Sequence, residues 1–186
     1  MPWDQFQNVV LDPVTRAPKI AINKLPRIFI APEKLADLTG FVRANADVLD
    51  GYEEAAVGGY DLHDARYGTD TPVRIEGGSG KLSAFLRAKP GNANAPVVIH
   101  LVEREQGAAT TLRLPTARFF GKHAIKVTLR EPLPYDAALH AKAENDKNYR
   151  SLIRQTVLPT TTDGASTLVS VPALSPWGIL VVEMNP

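Results

Sequence analysis

Apolar residues recur at the spacing of one helix face in a segment that starts at Pro32 and ends before Gly51. The residues in this row are Leu35, Leu38, Val42, Ala46 and Leu49. Proline suits the first turn of a helix, and glycine often follows the last turn. The pattern predicts an amphipathic helix over residues 33–50, whose apolar stripe must be buried against another element.

From residue 52 onward, short apolar or alternating runs are separated by turn residues. Such runs predict strands, here over 53–59, 72–76, 81–88, 96–104, 109–114, 117–120, 123–130, 152–158, 166–172 and 177–184. The strongest run, Pro96–Val102, is apolar except for His100. It predicts a central strand covered on both faces. The predicted architecture is an antiparallel β-sandwich, in which residues 134–150 form a surface loop with a short helical turn.

The segment ahead of the helix is irregular, because Pro13, Pro18 and Pro26 interrupt it. A long loop and one helix before an all-β segment fit the tail of a larger upstream domain. The alternative is a helix packed on the outside of the β domain. The predicted division is therefore a loop and helix over 1–51 and a β-sandwich domain over 52–186.

Composition narrows the class of protein without indicating a reaction. The chain has 186 residues, no Cys, and 21 basic against 20 acidic residues, a net charge of +1. The absence of Cys excludes a disulfide scaffold and a thiolate zinc site. The balanced charge favours neither nucleic acid nor an anionic membrane as a partner. The sequence does not indicate in which cellular compartment the protein works.

Few residues are candidates for chemistry. Asp61, His63 and Asp64 form the densest polar cluster, which can bind a cation such as a structural calcium ion or supply an acid and a base. The alternative is a solvated loop, because loops of β domains are commonly polar. His100 is predicted as a hydrogen-bonded core or face residue, and Trp177 as an indole that packs into the core.

Several segments together resemble a known family. Met1–Asp4, the helix around Ala36–Ala46 and Leu49–Glu53 look like the end of a bacterial glycoside-hydrolase-type (β/α)8 barrel. The remainder resembles the β-sandwich domain that often follows such a barrel. Three segments carry this second part: Arg87–Gly91 leading into Val97–Val102, Pro134–His140, and Pro172–Glu183.

The resemblance implies a place for each part of the chain. Trp3 and Asp4 would follow the eighth barrel strand, where an aromatic residue flanks the bound sugar. Residues 5–31 would form the eighth loop and residues 33–50 the eighth helix. The catalytic carboxylate pair would lie upstream of Met1, so the chain alone is not expected to hydrolyse a glycan.

Three functions follow as hypotheses. The first is the non-catalytic C-terminal region of a carbohydrate-active enzyme, which supports the upstream catalytic barrel as its partner and contacts carbohydrate. The second is a stand-alone β-sandwich module that binds carbohydrate or protein. The third is a small enzyme that uses Asp61, His63 and Asp64.

Overall fold

The computed structural model describes residues 10–11, 18–19, 32–59, 73–104, 107–147, 149–174 and 176–185. The chain divides into two units, residues 1–32 and 33–186. In the described part of the first unit, strand β1 (Val10–Leu11) pairs antiparallel with strand β2 (Pro18–Lys19). The sequence-based boundary near residue 51 stays a prediction.

Two consecutive helices, α1 (Pro32–Ala44) and α2 (Ala46–Leu49), occupy the segment predicted as one helix. Asn45 separates them, and its side-chain Nδ2 donates to the main-chain oxygen of Phe41 at 2.8 Å. An asparagine amide that bonds the helix backbone competes with the regular helix hydrogen bonds. Gly51 follows α2 with a φ of 75°, which confirms the predicted glycine at the helix end.

The strands of the larger unit form two antiparallel sheets in the residues described. The six-stranded sheet has the order β3 (Glu53–Gly59), β5 (Leu82–Ala88), β6 (Val97–Glu103), β12 (Trp177–Met184), β8 (Ile125–Pro132), β9 (Ile153–Val157). The four-stranded sheet has the order β10 (Thr160–Asp163), β11 (Ser166–Val171), β7 (Thr110–Leu114), β4 (Arg74–Gly77). The architecture is mainly β and sandwich-like, as the sequence pattern predicts.

The inner core lies between the two sheets. Ile99 and Leu101 of β6 belong to it, together with Leu112 and Leu114 of β7 and Val169 of β11, and all five are 0% exposed. Successive side chains of a strand point to opposite faces, so each strand contributes every second residue to this core.

An outer core covers the opposite face of the six-stranded sheet. Phe41 of α1 and Val48 of α2 pack there against Val98, Ile179 and Val181. The helices therefore lie on the outside of the β domain, one of the two arrangements that the sequence left open. Strand β6 is covered on both faces, which confirms the prediction made from the Pro96–Val102 run.

One predicted strand is wrong, and three strands were not predicted: β10, and β1 and β2 in the segment predicted to be an irregular loop. Residues 117–120 belong to a short helix, α3 (Thr116–Phe120), whose first and last residues are both buried. A short apolar run does not distinguish a strand from a helical turn. Strand β10 was missed because all four of its residues are exposed. It forms by pairing with β11 across a two-residue turn at Gly164, where φ is 60°.

Residues 134–150 contain more helix than predicted. They include α4 (Ala137–Asp146) and the start of a 3-10 helix (Tyr149–Leu152). The side chain of Asp136 caps α4 by accepting a 2.8 Å hydrogen bond from the main-chain N–H of Leu139. Gly40 of α1 packs closely on this region, because a Cβ there would lie 2.7 Å from Cδ1 of Leu152.

Candidate functional site

A cavity of ≈ 310 Å³ lies on the outer face of the six-stranded sheet. It is lined by Glu54, Phe85, Arg87, His100, Val102 and Trp177. Pairing between adjacent strands brings these residues together: Glu54 lies opposite Arg87, Phe85 opposite His100, and Val102 opposite Trp177. The floor of the cavity is therefore held by main-chain hydrogen bonds, which makes it a rigid surface.

Alternation along the strands explains which residues reach this cavity. Leu82, Ala84 and Leu86 of β5 point into the inner core. Phe85 and Arg87 lie between and after them in sequence, so they point to the opposite face. The same alternation on β6 places His100 on the outer face, between the inner residues Ile99 and Leu101.

Aromatic rings form one wall of the cavity. The Trp177 ring packs edge-on against Phe41, with 4.9 Å between ring centroids and an angle of 77° between ring planes. The His100 ring lies 5.8 Å from the Trp177 ring at 30°. Trp177 is only partly buried, so it borders the outer core and also faces the cavity. The sequence predicted the first of these positions and not the second.

Three nitrogen atoms of the lining residues are buried without a hydrogen-bond partner in the structure. They are Nε of Arg87, Nε2 of His100 and Nε1 of Trp177. An unpaired buried donor or acceptor costs about 1–3 kcal/mol, so three around one cavity form an unusual concentration. Arg87 is anchored elsewhere, since its Nη2 donates to the main-chain oxygen of Tyr52 at 3.0 Å.

Burial and charge fix the protonation state of His100. Its side chain is 7% exposed. Burial, together with the positive charge of Arg87, lowers the pKa of His100 from 6.5 to about 4. The imidazole is therefore neutral at neutral pH and offers one donor and one acceptor nitrogen. The predicted core or face position of His100 is confirmed, but its Nε2 lacks the expected hydrogen bond.

A second polar cluster fastens α2 to the sheet. Nη1 of the buried Arg130 donates to Oδ1 of Asn45 at 3.2 Å and to Oδ1 of Asp47 at 3.1 Å. Arg150 also contacts Asp47. Burial alone would raise the pKa of Asp47, but hydrogen bonds from Arg150 and Arg130 outweigh it and hold the pKa below its usual value. The carboxylate of Asp47 is paired with both arginines, although Nε of Arg130 is buried without a hydrogen-bond partner. Because the cluster joins α2 to the sheet, it indicates a structural role.

Of the residues singled out from the sequence, His100 and Trp177 lie among the described residues and line this cavity. Trp3, Asp4, Asp61, His63 and Asp64 lie outside the described residues. In the part of the chain that the structure does describe, no group of three or more His, Cys, Asp or Glu residues is placed to hold a metal ion.

Sequence reasoning missed Glu54, Phe85 and Arg87 as site residues. The alternation Leu82, Ala84, Leu86 was a usable signal, because it assigns Phe85 and Arg87 to the other face of β5. No pattern in the sequence shows that β3, β5, β6 and β12 are adjacent in the sheet. Strand order in an antiparallel sheet is not readable from one sequence, so the meeting of these residues could not be predicted.

The fold and the site together define a sandwich-like β domain with an aromatic, polar-edged cavity. No protein-family model matches the sequence, and no curated protein matches it. No helix among the described residues is long and apolar enough to cross a membrane.

Proposed function

We propose that this chain is the non-catalytic C-terminal region of a glycoside-hydrolase-type enzyme and that it supports the catalytic barrel domain. The observation behind the proposal is that helix α1 is apolar on two sides. One side packs on the six-stranded sheet through Phe41. Elsewhere on the helix Leu35 is 53% exposed and Val42 is 43% exposed.

The spacing along α1 separates these two sides. Leu35 and Val42 are seven residues apart, about two helical turns, so they lie on the same side. Phe41 and Ala44 are three residues apart and form the buried side. A helix that fixes one side on the sandwich and presents apolar residues elsewhere is suited to joining two domains.

In this proposal residues 33–50 form the last helix of the barrel as well as a cover for the sandwich. Trp3 and Asp4 stay proposed as sugar contacts beside the barrel active site. The catalytic acid and base belong to the barrel, and the sandwich acts as a support that also offers carbohydrate a cavity.

Sequencing the source gene upstream of the Met1 codon tests the proposal. We expect an open frame of about 250 residues with repeating strand–helix units and a pair of catalytic carboxylates. A stop codon and a ribosome-binding site directly ahead of the Met1 codon would contradict the proposal.

A mutation in that longer protein tests the joint itself. The double substitution Leu35→Ser/Val42→Ser is expected to destabilise the contact by about 3 kcal/mol, since each buried side chain contributes about 1.5–3 kcal/mol. The control is Val157→Ser, at a valine of β9 that is 62% exposed. Equal melting temperatures for the two variants would count against a joint at α1.

The second candidate function is a stand-alone β-sandwich module that binds carbohydrate or protein. The cavity on the outer face of β3, β5, β6 and β12 favours this second function. A binding module requires a pocket with convergent polar groups, and it does not require a partner domain. A complete gene starting at Met1, with ligand binding by the chain alone, is the outcome expected for this second function.

A further inference from the structure

We propose that the cavity lined by Glu54, Phe85, Arg87, His100, Val102 and Trp177 binds a single uncharged pyranose ring of a carbohydrate. The proposal deepens the function proposed above and relies on it for the choice of carbohydrate as ligand class. The position, the polarity and the ring size follow from the cavity itself.

The unpaired nitrogens define what a ligand must offer. Nε of Arg87 and Nε1 of Trp177 carry N–H groups that need acceptor oxygens. Nε2 of His100 either donates or accepts, depending on which ring nitrogen carries the proton. A hydroxyl group both donates and accepts. The three nitrogens are covered by neighbouring atoms, so the hydroxyls of one ring pair with them once the side chains turn towards the cavity.

The walls of the cavity define the rest of the ligand. Phe85, Val102 and the Trp177 ring present apolar surface beside the polar nitrogens. A pyranose has a face of C–H groups and a rim of hydroxyls, which matches apolar walls next to polar atoms. A purely apolar ligand would leave the nitrogens unpaired, and a small ion would leave the walls uncovered.

Charge favours an uncharged ring. Arg87 and Glu54 lie opposite each other across β5 and β3 and bring opposite charges to the cavity. Because His100 is neutral at neutral pH, the lining has no formal net charge. A carboxylate ligand would be attracted by Arg87 but repelled by Glu54, and it gains less here than in a purely basic site.

The volume favours one ring over a long chain. Small-molecule pockets span about 300–1,000 Å³, and this cavity of ≈ 310 Å³ lies at the lower end. A longer glycan would place one residue in the cavity and extend the others beyond it.

Nuclear magnetic resonance of the intact 186-residue chain tests the site. The indole N–H signal of Trp177, assigned with the variant Trp177→Phe, is followed while glucose, galactose, mannose and xylose are added in separate titrations. We expect a saturable shift with at least one sugar. Absence of any shift with all four sugars, up to high millimolar concentrations, overturns the proposal.

Two arginine variants make the test specific. Arg87→Met removes a donor in the cavity and is expected to weaken the binding at least about tenfold, as loss of a charged hydrogen bond does. Arg113→Met removes a guanidinium from β7 in the other sheet and is expected to leave affinity within about twofold. Equal affinity in both variants overturns the assignment.

Two further measurements keep the proposal testable if the arginine variant does not fold or if a charged sugar binds. If Arg87→Met does not fold, Trp177→Phe replaces it, because it keeps a smaller aromatic ring and removes the indole N–H. The His100 imidazole signals then report binding, which is expected to be weaker than in the wild type. Glucuronate is expected to bind no more tightly than glucose, and tighter binding overturns the assignment of an uncharged ring. None of these results depends on the exposed side of α1, so a failure here is distinct from a failure of the supporting role.

Discussion

The two faces of the six-stranded sheet are built on different principles. The inner face contributes Ile99, Leu101, Leu129 and Leu180, each 0% exposed, to a mainly aliphatic core. The outer face mixes aliphatic residues with polar and charged groups, among them the buried His100.

The difference separates a face that stabilises the fold from the face at which we propose that a ligand binds. The inner core gains free energy from apolar burial, and none of the unpaired buried side-chain atoms found among the described residues belongs to it. The outer face keeps buried nitrogens on Arg87, His100 and Trp177 unpaired. A fold retains such groups at a cost, and a ligand that pairs them recovers that cost.

Removing the outer layer is expected to have the largest effect. A chain of residues 52–186 lacks α1 and α2, which exposes Val98, Ile179 and Val181. We expect it to lose about 5 kcal/mol relative to residues 33–186, because several side chains lose burial worth about 1.5–3 kcal/mol each. Its inner core remains, so its thermal transition should stay cooperative.

Calorimetry of both truncated chains measures this difference. Equal melting temperatures would show that the helices add nothing to the sandwich. Loss of any transition in residues 52–186 would refute the boundary predicted near residue 51.

Leu101→Ala tests the inner face alone. The side chain is 0% exposed within the inner core, and truncation of such a leucine costs about 2–5 kcal/mol. Urea unfolding measures the change, with Val157→Ala as the control at an exposed position, expected to change stability by less than about 0.5 kcal/mol. A cost below about 1 kcal/mol for Leu101→Ala would mean that the two sheets are not packed as described.

Acid should act on the outer face first. The pKa of His100 is about 4 in the folded protein, because of burial and the charge of Arg87, against 6.5 when unfolded. The unfolded chain therefore takes up a proton more readily, so stability is full above about pH 6.5 and falls as the pH drops towards 4. The full shift corresponds to about 3 kcal/mol.

Urea unfolding of the wild type and of His100→Gln across this pH range measures the effect. The wild type should lose more stability than the variant, while Leu101→Ala should follow the wild-type pH dependence at lower stability. An imidazole that titrates near pH 6.5 in the folded protein would contradict this account.

The contrast also explains how much was predictable from the sequence. The apolar run Pro96–Val102 sufficed to predict a central strand, and period-two alternation sufficed for a sandwich-like fold. Which face of a strand is buried depends on the pattern of side chains within that strand. The local sequence therefore encodes this part of the structure most directly.

The features that the sequence did not predict depend on contacts between segments that are distant in sequence. Strand β10 exists because Thr160–Asp163 pairs with β11, and none of its own side chains is buried. The break at Asn45 depends on its hydrogen bond to Phe41 and on Arg130, which is 85 residues away in sequence. The cavity requires β3, β5, β6 and β12 to be neighbours, and that order became visible only in the structure.

The smallest expected effect on stability concerns the exposed side of α1. In the 186-residue chain, Leu35→Ser/Val42→Ser should change the free energy of unfolding by less than about 1 kcal/mol, because each exposed position contributes at most about 0.5 kcal/mol. The same change should sharply reduce binding of an apolar fluorescent dye, while Val157→Ser reduces it only slightly, since an isolated exposed valine forms no patch. A dye signal that survives in the double variant would place the apolar surface elsewhere, and α1 would then be only a cover for the sheet. A signal that disappears without loss of stability would separate the two sides of the helix, one for folding and one for a partner domain.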